Sequence, residues 1–191
     1  MRTLIVTEFM SLDGIVDSPG GGDHPRAGWT FTEVKPVQEA YELKGREQEE
    51  AGAVLVGRVS WTEFHEVWPT MTTEFERYNQ IPKYVVSSTL TEADVAASPW
   101  QPMTLLSSLD DVAALKETDG GEIQVHGSAT LAQNLAKAGL VDRYHLLVFP
   151  LVLGGGKRLF PTDGADFAKL DLIEHETYAN GIQKLCYDVV H

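Results

Sequence analysis

The stretch EIQVHGSATLAQNLAKAG, residues 122–139, contains a complete strand-and-helix unit. Residues 122–127 predict a buried strand, and residues 128–139 have helical composition and end at a glycine. The next segment, VDRYHLLVFPLVLG at 141–154, predicts one long strand. A strand, a helix and a second strand in this order are typical of a parallel sheet covered by helices.

The rest of the chain extends this pattern and then changes it. Further strands are predicted at residues 3–9, 53–57, 83–88 and 103–106. Helices are predicted at 36–52, from Pro36 in the first turn to Gly52 at the stop, at 60–68, and at 108–118 after a Ser108 cap. Residues 168–191 predict two strands around a tight turn at Asn180–Gly181. The prediction is one α/β domain over residues 1–191, with a mixed, mostly parallel sheet, helices on both faces and a C-terminal antiparallel hairpin.

Composition limits the classes of function. The 191 residues carry a net charge of −13, which opposes non-specific binding to nucleic acid. No run reaches about 18 apolar residues, and the N-terminal apolar run is too short for a signal peptide, so we expect a cytoplasmic protein with no membrane segment. The six histidines show no paired spacing on a predicted helix, and we expect no metal site.

Two predicted strand-to-helix junctions could bind an anion. In VLVGRVSW, residues 54–61, a buried strand ends at Gly57 and a helix begins at about Ser60, with Arg58 supplying a planar positive charge. An ordinary turn with a surface arginine fits the same residues. In HGSAT the backbone N–H groups of Gly127, Ser128, Ala129 and Thr130 are open to a ligand, although a helix capped by Ser128 explains these residues too. Two such junctions in one sheet favour an extended anionic ligand across the strand ends.

Other polar residues follow predicted strands. Ser87 and Ser88 could bind a ribose phosphate or only complete a turn, and Asp13 could face a ligand or only form an Asp–Gly turn. His126 ends a buried strand beside Gly127, where it could face the ligand or bond only to the backbone.

The glycine-rich stretch VLGGGKRLF, residues 152–160, is not a nucleoside-triphosphate loop. A loop of the form G-x-x-x-x-G-K-[ST] requires glycine at position 151 and serine or threonine at 158, where the chain has Leu151 and Arg158. Gly154, Gly155 and Gly156 are therefore interpreted as a bend after the long strand, where glycine permits a positive φ or a close backbone approach.

The order SLDG, VLVGRVSWTEF, YVVSST and IQVHGSATLAQNLAKAGLVDRYHLLVFPLVLGGGKRLF resembles the bacterial dihydrofolate reductase-like family, which includes the reductase domain of the riboflavin-biosynthesis deaminase–reductase. The resemblance covers residues 3–189. It implies a three-layer dihydrofolate reductase-like fold, a homodimer, and an NADPH-dependent oxidoreductase acting on a small heterocyclic or carbonyl substrate. The alternative is a protein on this scaffold that binds a nucleotide or small molecule without turnover.

The resemblance also implies roles for individual residues. Gly57, Arg58 and Ser60 would bind cofactor phosphate, Ser87 and Ser88 would approach the adenosine 2′-phosphate, and Gly127, Ser128, Ala129 and Thr130 would hold the pyrophosphate. Asp13 and His126 would lie near the nicotinamide and the substrate, with water or Asp13 as proton donor. True dihydrofolate reductases carry an acidic residue on the first helix, but none of the nearby carboxylates is in register. These carboxylates are Glu33, Glu39 and Glu42.

Overall fold

A computed structural model of the chain describes residues 1–162 and 168–190. It contains one sheet of eight strands, in the order β4-β3-β2-β5-β1-β6-β8-β7. The strands are β1 (Leu4–Ser11), β2 (Ala51–Gly57), β3 (Lys83–Val86), β4 (Met103–Leu106), β5 (Glu122–His126), β6 (Arg143–Phe149), β7 (Lys169–Thr177) and β8 (Gln183–Val190). The pairs from β4 to β6 are parallel, and β8 is antiparallel to both β6 and β7.

Seven helices connect the strands in the described residues. They are α1 (Trp29–Thr32), α2 (Glu42–Glu50), α3 (Arg58–Phe64), α4 (Glu76–Gln80), α5 (Glu92–Ala96), α6 (Leu109–Lys116) and α7 (Ala129–Lys137). Short 3₁₀ turns at Gln38–Tyr41 and Trp68–Thr70 precede α2 and follow α3. None of these helices is long and apolar enough to cross a membrane.

The helices cover both faces of the sheet because the central strands are apolar on both sides. Leu55 of β2 packs in one cluster with residues of α6 and α7, whereas its neighbours Val54 and Val56 pack on the other face against α3, α4 and α5. A third cluster joins α1 and α2 to β6 and β8. The predicted mixed, mostly parallel sheet with helices on both faces and a C-terminal antiparallel pair is confirmed.

Several boundaries differ from the sequence prediction. The predicted helix at 36–52 is a 3₁₀ turn followed by α2, and Gly52 lies inside β2 instead of ending the helix. The helix predicted to begin at about Ser60 begins at Arg58, immediately after the strand. Local composition identified these elements, but the strand pairing of β2 with β3 and β5 determines where the helices stop.

The long strand predicted at 141–154 is also wrong, because β6 ends at Phe149, before Pro150. The bend predicted at the three glycines is present. Gly156 has a φ of 120°, and a Cβ there would lie 2.9 Å from Ile15 Cγ2. A side chain at this position is therefore excluded by both backbone conformation and space.

Lys83, the first residue of β3, is completely buried and connects this strand to α4. Its ammonium donates hydrogen bonds to the carbonyl groups of Tyr78, Asn79 and Ile81 at 3.1, 3.0 and 2.8 Å. These carbonyls belong to the last turn of α4 and the residue after it, where backbone acceptors lack partners within the helix.

We predict that Lys83→Met lowers the free energy of unfolding by about 2–3 kcal/mol, because it leaves buried carbonyl groups without donors. Urea unfolding measures the change. Lys137→Met, on the exposed end of α7, is the control and should change stability by less than about 0.5 kcal/mol. Equal stabilities of Lys83→Met and the control would contradict the predicted role.

Candidate active site

The two predicted anion-binding junctions lie side by side in the structure, because β5 pairs with β2. The Ser128 hydroxyl joins them: it accepts the N–H of Gly57 at 2.8 Å and donates to Ser60 Oγ at 2.8 Å. Gly127 has a φ of 56°, and a Cβ there would lie 3.1 Å from Ser60 Oγ. The predicted residues of both junctions therefore form one cluster.

The interpretation of Ser128 as a helix cap is wrong. Ser128 precedes α7 with a φ of 67°, in the left-handed region that residues other than glycine rarely occupy, and its side chain makes no capping bond. Since the hydroxyl bonds to α3 and β2 instead, the N–H groups of Ala129 and Thr130 receive no side-chain cap and are open to an anion. Arg58, exposed at the first position of α3, adds a full positive charge beside this cluster.

Ser87 and Ser88 follow β3, the next strand beyond β2. Ser87 is buried, and its hydroxyl accepts the N–H groups of Thr89 and Leu90 at 3.1 and 3.0 Å, as in a polar turn. Ser88 is exposed. Of these two residues, Ser88 is the one that is accessible to a phosphate.

Asp13 bonds to the glycine-rich bend. Its carboxylate accepts the hydroxyl of Ser11 at 2.6 Å and the N–H groups of Leu153 and Gly154 at 3.1 and 2.8 Å. Burial opposes ionisation, but these hydrogen bonds outweigh it and lower the pKa of Asp13 to about 2. Asp13 is therefore ionised at neutral pH, which favours water over Asp13 as the proton donor of the sequence-based assignment; its place near the nicotinamide remains a prediction.

His126 ends β5 and contacts the rings of Trp68 and Tyr78, at centroid distances of 5.6 and 4.8 Å. Its Nε2 is buried and has no hydrogen-bond partner in the described part of the chain. Burial lowers the pKa of His126 to about 3 despite the nearby Glu47 carboxylate, so the imidazole is neutral. A buried polar atom without a partner is expensive, which makes this nitrogen a candidate ligand contact.

Sequence reasoning missed a polar row across the centre of the sheet. Thr7 of β1 is paired in register with His126 of β5 and His145 of β6, and paired positions of parallel strands share a face. Glu47 of α2 lies above the row and accepts Thr7 Oγ1 at 2.7 Å and His145 Nδ1 at 3.0 Å. Lys44, one turn earlier, donates to Thr7 Oγ1 and to Glu47 Oε2.

Glu47 is thus the acidic residue of α2 that faces the sheet. It is completely buried, whereas Glu33, Glu39 and Glu42 are exposed. Burial opposes its ionisation, but the Lys44 charge and the His145 hydrogen bond lower the pKa of Glu47 below its usual value. The available signal was a histidine within the apolar strand 143–149, since ionisable residues in buried strands require partners.

A cleft of about 610 Å³ lies beside α3. Val59 and Glu63 of α3 form one wall, and Leu153 and Lys157 form the other. The residues of the loop 17–26 complete the lining; they are Asp17, Ser18, Asp23, His24, Pro25 and Arg26. Its volume suits a small molecule. Within residues 1–162 and 168–190, no group of three or more His, Cys, Asp or Glu side chains could hold a metal ion.

Comparison with known sequences gives two matches. A family model described as the RibD C-terminal domain matches residues 2–184. The protein YyaP of Bacillus subtilis (strain 168), described as uncharacterized, is 33% identical over 105 residues, which are 55% of this chain. The chain spans about half the length of this curated relative, since the match covers 53% of it.

Solved structures share the fold. A putative riboflavin biosynthesis protein from Shewanella sp. PV-4 superposes with a TM-score of 0.75 and 22% identity, over 99% of both chains. A deaminase/reductase from Thermotoga maritima gives 0.65 and 13%, over 99% of this chain and 57% of the other. Dihydrofolate reductase from Enterococcus faecalis gives 0.59 and 11%, over 99% and 97%. The dihydrofolate reductase-like fold is therefore confirmed.

We predict that Asp13→Asn lowers the free energy of unfolding at neutral pH. The difference in this free energy between the variant and the wild type should become smaller in acid. A depressed pKa in the folded state stabilises the protein above the ordinary value of 3.8, and this contribution is lost as the pH falls towards about 2. Urea unfolding between about pH 5 and about pH 2.5 tests this, with Asp119→Asn on the exposed surface as control. A difference that is independent of pH would contradict the prediction.

Proposed function

The chain belongs to the RibD C-terminal domain family, a family of reductases, and on this basis we propose that it transfers a hydride from NADPH to a small heterocyclic or carbonyl substrate. The observation that carries the proposal is the Ser128 hydroxyl joining the two junctions into one cluster at the start of α7. The names of the neighbours agree: the Thermotoga maritima enzyme is a 5-amino-6-(5-phosphoribosylamino)uracil reductase, and the Enterococcus faecalis structure contains NADP(H).

The residues of the cluster fit an anionic cofactor. The first turn of α7 is uncapped, and its helix dipole favours negative charge at Ala129 and Thr130. Gly127, with a φ of 56°, lets the chain turn close to Ser60 and Phe64, and Arg58 offers a fork that matches phosphate geometry. We assign the pyrophosphate to the α7 junction, and the adenosine phosphate to Arg58 and Ser88.

The reacting end of the cofactor is assigned to the space bounded by β1, β5 and the loop 17–26. When bound, the reduced nicotinamide supplies the hydride. The chain contributes orientation and the exclusion of water: the loop is joined to the glycine-rich bend by the Asp17 bond to Lys157 N and by His24 Nε2 at 3.0 Å from the Gly155 carbonyl oxygen.

The homodimer and the cytoplasmic location remain proposals. β7 is an edge strand, and Leu172 and Ile173 on it are about half exposed. Edge strands with exposed apolar residues favour coverage by another chain. Sedimentation velocity of the purified protein measures the oligomeric state.

We predict that NADPH at about 100 times its Kd raises the melting temperature by about 5–10 °C, because a ligand that binds only the native state stabilises it. NADH should give a smaller shift. ATP is the control for non-specific binding of phosphates. If neither nicotinamide cofactor shifts the melting temperature, the reductase proposal is overturned. The alternative, a protein that binds a nucleotide or small molecule without turnover, would remain.

We predict that Arg58→Ala weakens NADPH binding by about 10-fold or more and NADH binding much less, because a charged hydrogen bond to the 2′-phosphate contributes about 1.5–3 kcal/mol. Titration calorimetry with both cofactors measures the two losses. Lys137→Ala controls for the loss of one positive charge elsewhere. Equal losses for NADPH and NADH would place Arg58 on the pyrophosphate instead.

A further inference from the structure

Lys44 bonds to Thr7 in the polar row His126–Thr7–His145 and is accessible from the surface. Its side chain is 18% exposed, whereas that of Glu47 is completely buried. Its ammonium also lies 5.1 Å from the centroid of the Phe9 ring, which presents an apolar surface beside the charge. Within residues 1–162 and 168–190 the ammonium makes two hydrogen bonds, to Thr7 and Glu47, so one of its three N–H groups is left for a ligand.

The position of Lys44 connects it to the candidate phosphate site. Thr7, to which it bonds, is the register partner of His126, and His126 is followed by Gly127 and Ser128 of the α7 junction. The unpartnered Nε2 of His126 lies in the same row. The Lys44 ammonium and the unpartnered Nε2 of His126 therefore lie on one face of the sheet. His126 immediately precedes the junction that we assign to the cofactor.

We propose that Lys44 is the residue that binds the carbonyl or imine group of the substrate and donates the proton that completes its reduction. This inference rests on the proposed function.

The hydride, the proton and the electron pair of this step are all accounted for by NADPH, Lys44 and the substrate. Hydride addition to the carbon of C=O or C=N breaks the π bond and leaves its electron pair on the oxygen or nitrogen. One N–H bond of the Lys44 ammonium breaks, and a new O–H or N–H bond forms on the substrate. Lys44 becomes a neutral amine and regains a proton from water, while the reduced nicotinamide loses two electrons with its hydride.

The neighbouring titratable groups are less suited to this role. Asp13 is ionised and bonded to the glycine-rich bend, and His126 is neutral. Glu8 is buried, and burial raises its pKa to about 8, but strand alternation places it with Leu4 and Val6 on the opposite, α7 side of the sheet.

Glu47 and Thr7 are positioning residues for Lys44. The Glu47 carboxylate accepts one N–H of the ammonium, and Thr7 Oγ1 accepts another while donating its own hydrogen to Glu47. A lysine side chain has several rotatable bonds, so two fixed acceptors and an adjacent ring restrict its ammonium to one place.

The experiment compares wild type, Lys44→Ala and Lys137→Ala in oxidation of NADPH with dihydrofolate, the ribosylaminopyrimidine precursor of riboflavin, and 4-nitrobenzaldehyde. With the acceptor that the wild type reduces, Lys44→Ala should lower kcat by about 100-fold or more, because a positioned general acid contributes about 10²–10⁴. Its NADPH affinity should change less than about twofold. Propylamine added to Lys44→Ala should restore part of kcat in proportion to its concentration, which a purely structural role does not predict.

Two further measurements make the result decisive. Calorimetric titration with 5-aminouracil, a small heterocycle with carbonyl oxygens, should show binding to the wild type that is about tenfold weaker in Lys44→Ala. If Lys44→Ala does not fold, the double variant Lys44→Ala/Glu47→Gln, which leaves no unpaired buried charge, replaces it.

The outcomes separate the two proposals. Turnover by the wild type together with unchanged kcat or unchanged 5-aminouracil affinity in Lys44→Ala overturns the role of Lys44 alone. NADPH binding without turnover of any of the three acceptors overturns the reductase proposal, and the role of Lys44 with it, because a proton donor requires a hydride acceptor.

Discussion

The position of β5 between β1 and β2 is the constraint on which the candidate site depends. β5 follows four other strands in the chain, yet it pairs with β1 on one side and β2 on the other. Pairing with β2 brings Gly127 and Ser128 next to Gly57. Pairing with β1 brings His126 next to Thr7. A single strand insertion therefore assembles the phosphate cluster at the carboxyl ends of β2 and β5, where ligands of such sheets bind, and the polar row across the centre of the sheet.

Burial of the polar row costs free energy, and its hydrogen bonds offset this cost only while every member is present. An ionised carboxylate at Glu47, completely buried, is tolerated because Lys44, Thr7 and His145 all bond to it. Replacement of a whole buried ion pair by well-packed apolar residues of similar volume is often neutral or stabilising. A sheet centre that retains a buried ion pair beside His126 Nε2, a nitrogen without a partner among the described residues, is therefore more readily explained by ligand binding than by stability.

Sequence reasoning succeeded where the signal was local. The positions of most strands, the Ser108 cap of α6 and the turn at Asn180–Gly181 are encoded within a few residues and appear as predicted, whereas the strand predicted at 141–154 ends early, at Phe149. The clustering of the two junctions was also expected, because carboxyl ends of parallel strands meet at one edge. The ligand contacts that the sequence-based assignment gives to individual residues remain predictions.

Long-range pairing explains what the sequence did not reveal. Lys44 and Glu47 belong to a helix of mainly polar composition, so only the docking of α2 on β1 distinguishes them from exposed neighbours such as Glu42. The Ser128 hydroxyl has the sequence context of a helix cap, and its true partner Gly57 lies 71 residues away. Such contacts depend on strand order, which one sequence does not specify.

The glycine-rich stretch 152–160 shows how a segment without chemistry of its own shapes the site. Its backbone N–H groups bond to Asp13 and Asp17, so the bend is joined to the first residues of the segment that follows β1. A side chain at Gly156 would collide with Ile15 and separate the two segments. The cleft beside α3 has Leu153 and Lys157 as one wall and the loop residues as its cover. Glycine is therefore required here to let the bend pack closely against Ile15, Asp17 and His24, and the lysine that follows it lines the cleft and is not part of a phosphate loop.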